Sequence, residues 1–281
     1  MTEPLVLIDD PAPNVRRLTL NRPDKRNALS NDLRTAVFDA LEAADRDAGV
    51  RVIVLRGAGP CFSAGYDLSM EAGRQRPPYH TARGVGHWAR HVAEGVFRVW
   101  DLATPVIAQV HGWCLAGGSE LATACDLVYV AEDAQIGYPP VRGMSPPDTQ
   151  FHPWLMGLRP AMEQMLTGDA MDGREAVRVG FANRAFPAGE LEAAVLSVAE
   201  RVAKVPPDVQ QINKRSVHRA MEAMGLRTAI RQGTELQALA TTTEGSKETF
   251  GRFKTSVRGA LDARDGAFGD YRTKPGADGP S

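Results

Sequence analysis

The chain is poor in several features, and each shortage removes a class of protein. Three cysteines, Cys61, Cys114 and Cys125, stand in 281 residues, an odd number without CxxC spacing. A disulfide scaffold and a cysteine-held zinc site are both excluded, and a reducing cytoplasmic setting is expected. No apolar run approaches the ~18 residues of a membrane span. The opening MTEPLVLIDD is acidic, with its apolar stretch confined to residues 5–8, so neither a membrane segment nor a targeting address is expected. Positive charge is not in excess either. With 33 Lys and Arg against 34 Asp and Glu the formal net charge is -1, and a nucleic-acid partner loses its electrostatic basis. What is present is ordinary for a folded protein: 43% hydrophobic and 24% charged residues, in a chain long enough to bury a core without crosslinks.

The apolar pattern alternates between strand and helix. Residues 5–8 and 15–20 read as a hairpin joined by a turn over residues 9–14. Ser30 can cap a helix whose Leu33, Ala36, Val37, Ala40, Leu41 and Ala44 share one face. Buried strands are expected at 52–55, 105–110 and 127–130, with helices around 85–102 and 117–125, which is an α/β arrangement. Helix signals dominate from about residue 159, with one helix over 190–205 stopped by Pro206-Pro207 and a long helical segment over 208–243. The domain expectation is a core over residues 1–205, a helical region over 206–272 and a disordered Gly- and Pro-rich tail over 273–281.

Several familiar motifs fail on inspection. GAGPCFSAG, residues 57–65, fits neither GxGxxG nor the phosphate loop, and Ser63 has Cys61 where a nucleophile elbow needs glycine. His87 and His91 have the i, i+4 spacing of a zinc pair, but Trp88 stands where the zincin glutamate would be and no third ligand is evident. They are expected to line a pocket or a wet face, with no metal. Two other segments are more informative. PCFSAGYDL (60–68) and GWCLAGGSELA (112–122) each follow a strand, and the second opens a helix. Small residues let backbone approach a ligand closely, and amides at a helix start lack partners, so each segment can offer an N–H to an anionic oxygen. Two such amides make an oxyanion hole. The plainer alternative is a pair of tight turns.

NRPDKRNALS (21–30), FSAGYDL (62–68), HGWCLAGGSELATACDLVYVAEDAQIGYPP (111–140) and LTGDAMDGREAVRVGFANRAFP (166–187) resemble, in order, the signatures of the crotonase (enoyl-CoA hydratase/isomerase) superfamily. The likeness covers roughly residues 5–205. It implies a spiral of repeated ββα units, followed by C-terminal helices that build a homotrimer or a dimer of trimers. It also implies an acyl-CoA substrate, with coenzyme A as part of that substrate and no separate cofactor. The loop with Lys25, Arg26, Asn27 and Ala28 would hold CoA, its two cations meeting phosphates and the backbone near Ala28 and Ala64 reading adenine. Asp67 and Leu68 fall in the same substrate-binding segments. The oxyanion amides fall on Tyr66 and Gly117, leaving the Tyr66 ring to shape the pocket, and Glu120 matches the first of the two glutamates of the hydratases, as base or water ligand.

The chain departs from the pattern at the second glutamate, where it has Pro140. Proline carries no proton. The loop that follows, RGMSPPDTQFHPW (142–154), is also about three residues shorter than the family's usual one. Asp148, His152, His87, His91 and Tyr138 are the nearby candidates for a replacement acid, none of them singled out by sequence. The reaction implied is hydratase-like lyase chemistry on an enoyl-CoA. The alternatives are isomerisation, thioester hydrolysis, decarboxylation, or acyl-CoA binding without catalysis.

Overall fold

The computed structural model describes residues 3–69, 71 and 74–269. The tail expected over 273–281 lies outside the described residues, as do the last three positions of the helical region. Strands β1 (Val6–Ala12) and β2 (Val15–Leu20) form the antiparallel hairpin. Its turn is shorter than expected, because β1 continues through an irregularity between Asp9 and Ala12. Arg17 pairs with Asp9 at 2.6 Å and Arg16 with Asp10, holding that acidic stretch in the edge strand. Six further strands follow: β3 (Val52–Gly57), β4 (Val106–Val110), β5 (Trp113–Leu115), β6 (Leu127–Ala131), β7 (Gln135–Gly137) and β8 (Arg184–Phe186).

The main sheet has the order β1-β2-β3-β4-β6-β8, parallel from β2 onward. All five residues of β4 are buried, as expected of a central strand covered on both faces. A second, smaller layer is made of β5 and β7, again parallel, extended by single bridges between Ser63 and Cys114 and between Leu29 and Tyr66. Each turn of chain therefore leaves a long strand in one layer and a short one in the other before a helix. This is the ββα spiral. The three-residue β5, β7 and β8 are too short to carry a periodicity and do not appear in the sequence reading.

Helix α1 (Asn31–Arg46) begins where Ser30 accepts the Leu33 N–H at 3.2 Å, and it buries Leu33, Val37, Leu41 and Ala44 in the core. Helix α2 (His87–Trp100) packs against α1, and α3 (Gly117–Thr123) packs against β5 of the second layer. Then come α4 (His152–Met156), α5 (Leu158–Thr167), α6 (Gly173–Val179), α7 (Leu191–Ala203), α8 (Pro207–Ala223), α9 (Leu226–Ala240), α10 (Glu244–Thr255) and α11 (Val257–Asp265). The helical segment expected over 208–243 is present as two helices, which meet where Gly225 turns at φ 101°.

The last two helices fold back onto the segment after β7. Ser246 Oγ donates to the Met144 carbonyl at 2.8 Å, and the buried Arg142 side chain pairs with Asp265 at 3.4 Å. Phe268 lies 3.9 Å from the Arg142 guanidinium. A buried ion pair adds little net stability, but it fixes geometry, and here it ties α11 to the loop carrying Pro140 and Asp148.

Candidate active site

The two expected amides are placed side by side by backbone geometry. Leu29 N–H donates to the Gly65 carbonyl at 2.8 Å and the Leu29 carbonyl accepts from Asp67 N–H at 3.2 Å. In such a parallel bridge the groups of the intervening residue point the other way, so Tyr66 N–H faces away from Leu29. Ala116 then turns the chain from β5 into α3 at φ 49°, a conformation that costs a non-glycine residue about 1–3 kcal/mol. Among the described residues, neither Tyr66 N–H nor Gly117 N–H donates to a protein acceptor. Gly65, at φ 100°, makes the meeting of the segments possible: a Cβ there would stand 2.9 Å from the Leu115 carbonyl oxygen and 3.2 Å from the Gly117 nitrogen.

A cavity of about 1430 Å³ opens beside these amides. Lys25, Arg26, Ala28, Ala64, Asp67 and Leu68 all line it, so the structure brings the sequence-derived binding residues together. Lys25 and Arg26 are exposed, and Arg26 stacks over Trp113 at 4.3 Å. The Asp67 carboxylate accepts from Arg22 at 2.9 Å and from Ser69 N–H at 3.0 Å; burial would raise its pKa, but these contacts together hold it below the usual carboxylate range. Asp67 thus braces the cationic loop. The buried Asn27 side chain does the same work from inside, accepting from Arg22 N–H at 2.9 Å and donating to the Ala58 and Cys61 carbonyls.

Glu120 is completely buried, and its environment was not legible in the sequence. The Tyr66 ring lies against the α carbon of Gly117, where a Cβ would come within 2.7 Å of it, and the phenol donates to Glu120 Oε2 at 3.1 Å. Thr149 N–H donates to Oε1 at 2.9 Å, with the Tyr138 hydroxyl 3.5 Å from the same oxygen. Burial, followed by the charge of Asp148, pushes the Glu120 carboxyl well above the usual range. Burial also raises both phenols, so they remain O–H donors at neutral pH. Among the described residues Glu120 does not reach the cavity wall; Tyr66, Tyr138 and Asp148 do.

Asp148 is 4% exposed, and burial pushes its carboxyl up to about 7 against the opposing influence of the Trp88 indole N–H and of Arg34. Trp88 Nε1 donates to Oδ2 at 3.1 Å. The other candidates separate clearly. His87 and Tyr138 line the cavity. His91 is buried, stacked on Tyr79 at 4.2 Å with Nδ1 2.8 Å from Thr81 Oγ1, and burial lowers it to about 4. His152 is likewise buried and lowered to about 4, its Nδ1 against Gln150. Pro140 is on the cavity wall, its carbonyl accepting from Met144 N–H at 2.7 Å. The Trp88 contact to Asp148, the Thr149 contact to Glu120 and the cavity-lining Gln237, Arg258 and Leu261 have no local sequence signal, because packing between distant segments brings them to the site. Among the described residues no cluster of three or more His, Cys, Asp or Glu side chains could hold a metal.

The sequence profile described as Enoyl-CoA hydratase/isomerase matches residues 11–258. EchA13 of Mycobacterium tuberculosis is 36% identical over 235 residues, 77% of this chain and 74% of that one. Hydroxycinnamoyl-CoA hydratase-lyase of Pseudomonas fluorescens is 30% identical over 215 residues, 72% and 74% of the two chains. Among solved structures, an enoyl-CoA hydratase/isomerase from Xanthobacter autotrophicus Py2 superposes with a TM-score of 0.85 at 33% identity, covering 95% of this chain and 99% of the other. The chain belongs to the enoyl-CoA hydratase/isomerase family and has the crotonase fold. It is an enoyl-CoA hydratase-like acyl-CoA enzyme of the lyase type.

Proposed function

We propose that this enzyme adds water to, or removes it from, the α,β double bond of an enoyl-CoA. The observation that carries the reading is a pair of neighbouring amides without protein acceptors, Tyr66 and Gly117, beside a cavity that has the buried Asp148 carboxyl on its wall and Glu120 behind it. Attack at the β carbon drives charge onto the thioester oxygen, and fixed donors at Tyr66 and Gly117 bind that oxygen more strongly as the charge grows. Asp148 offers a carboxyl group at the cavity wall, and Glu120 stands behind it, accepting from Thr149 N–H. Lys25 and Arg26 meet the CoA phosphates, backbone at Ala28 and Ala64 faces the adenine, and Leu68 with Asp67 closes that side. The substrate itself carries the coenzyme A, so the reaction needs no separate cofactor.

The assembly we propose is a homotrimer, alone or paired as a dimer of trimers. Leu158, Met162 and Leu166 share one face of α5 and are exposed in the single chain, as a subunit contact requires. A reducing, cytoplasmic setting suits the three buried free thiols. Among the described residues no helix is long and apolar enough to cross a membrane.

Purified protein offered a series of enoyl-CoA thioesters should bleach the conjugated double bond and form 3-hydroxyacyl-CoA. Pro140 favours a second reading, another enolate reaction in the same scaffold, such as double-bond migration, hydrolysis or decarboxylation. Turnover of a different thioester without any hydration would select it.

A further inference from the structure

We infer that Asp148 is the catalytic carboxylate that meets the reacting atoms, and that Glu120 is a positioning residue behind it; the inference rests on the hydratase reading above. The geometry separates the two groups. Both Glu120 oxygens have protein hydrogen-bond donors within reach, Tyr66 at one and Thr149 N–H with Tyr138 at the other, and Glu120 does not reach the cavity wall among the described residues. Asp148 is on that wall. Its Oδ2 is held by Trp88, while Oδ1 is buried without any partner among the described residues. An unpartnered carboxylate oxygen in a dry wall is costly unless it serves an incoming donor, and water or an α C–H of the substrate is such a donor.

Local covalent structure holds Asp148 in place. Pro146 and Pro147 precede it and restrict the backbone, and Thr149 immediately after it is anchored on Glu120. Glu120, through Thr149, Tyr66 and Tyr138, therefore orients the neighbours of Asp148. The short loop that replaces the family's second glutamate with Pro140 delivers a carboxylate eight positions later.

The step balances with this one base. The Asp148 carboxylate takes a proton from water, the hydroxyl oxygen bonds to the β carbon, and the π pair moves through the α carbon onto the thioester oxygen. As the enolate collapses, Asp148 returns the proton to the α carbon. The product is the 3-hydroxyacyl thioester, and the carboxylate is regenerated.

The groups facing Asp148 are Glu120 from α3, Arg34 from α1, Trp88 from α2, Tyr66 after β3 and Tyr138 after β7, and His87 of α2 lines the same cavity. Arg34 and the Trp88 N–H favour its charged form and burial disfavours it, so activity should rise with pH through about 7. The test compares Asp148→Asn, Glu120→Gln and Trp88→Phe with the wild type, in hydration of enoyl-CoA and in exchange of the α proton of a saturated acyl-CoA in deuterated water. Asparagine can still accept from Trp88, so its fold is checked by melting and by CoA binding.

Asp148→Asn should lower kcat by ~100-fold or more with KM changed less than ~3-fold, and should erase the acid limb of the pH profile. Glu120→Gln should keep that limb and lose no more than ~10-fold in kcat. Trp88→Phe should move the limb to higher pH, a response that a purely structural role for Asp148 would not give. The inference is overturned if Asp148→Asn retains kcat within ~3-fold of wild type, or if the Glu120 variant rather than the Asp148 variant loses the limb. If the wild type hydrates no enoyl-CoA, the hydratase reading falls. Asp148 is then judged on proton exchange alone, by the same pattern among the variants.

Discussion

The two sides of the cavity are built from different materials. On one side stand two main-chain amides without protein acceptors, Tyr66 and Gly117, which we propose receive the charge, placed by a bridge to Leu29 and by the close approach of Gly65 to residues 115–117. On the other side stand side chains, Asp148 and its neighbours, to which we assign proton transfer, placed by a loop that α10 and α11 brace. A backbone device is indifferent to most side-chain changes but breaks when the chain path changes. A side-chain device can be rebuilt residue by residue, and on the proposal above Asp148 stands in for the glutamate that the family resemblance places at Pro140. One half of the site can therefore stay constant while the chemistry performed against it is altered.

The contrast predicts which substitutions matter and how. Gly65→Ala attacks the backbone side: its Cβ would press on the Leu115 carbonyl at an unfavourable positive φ, so the two amides should separate. We expect kcat to fall by roughly 100–1000-fold with CoA binding retained, measured by steady-state kinetics and titration with CoA. Next in size is a stability effect on the other side. Burial raises Asp148 from 3.8 to about 7, so its contribution to stability is full below its unfolded value and is lost as pH rises through about 7. Asp148→Asn should then be the more stable protein at about pH 8, by on the order of 2–4 kcal/mol, and the gap should close below about pH 4. Denaturant unfolding at several pH values checks this, and an unchanged gap would deny that the carboxylate is strained. The smallest effect lies at the cavity mouth. Replacing Lys25 and Arg26 together with alanine should weaken CoA binding by roughly 10-fold, most at low salt, with kcat nearly unchanged.

Legibility in the sequence followed the range of the interactions. The cap at Ser30, the apolar face of α1 and the buried run of β4 depend on neighbours within a few positions, and all three could be read. The turn after β1 was misplaced because Asp9 and Asp10, ordinarily turn formers, are held in an edge strand by Arg17 and Arg16. The helical character of 208–243 was legible, but not the break inside it, because one glycine in a helical pattern does not declare its φ; at Gly225 it is 101°. In the site, the loop and oxyanion segments carry compact local signatures. The partners of Glu120 come from residues 54, 18 and 29 positions away, and no local pattern announces them.

By itself the sequence determined the class of fold, the family signatures, the cationic loop, the positions of the two amides and the loss of a glutamate at Pro140. These depend on short-range backbone geometry or on the mere identity of a residue. The tertiary structure alone decided that the Tyr66 ring lies across Gly117, that Glu120 is sealed behind two phenols, and that Asp148 stands on the cavity wall with Trp88 holding one oxygen. Those relations set the desolvation and the charge that each carboxyl group feels. Both quantities depend on which distant segments pack together, so they exist only once the spiral has closed and the last helices have folded back over it.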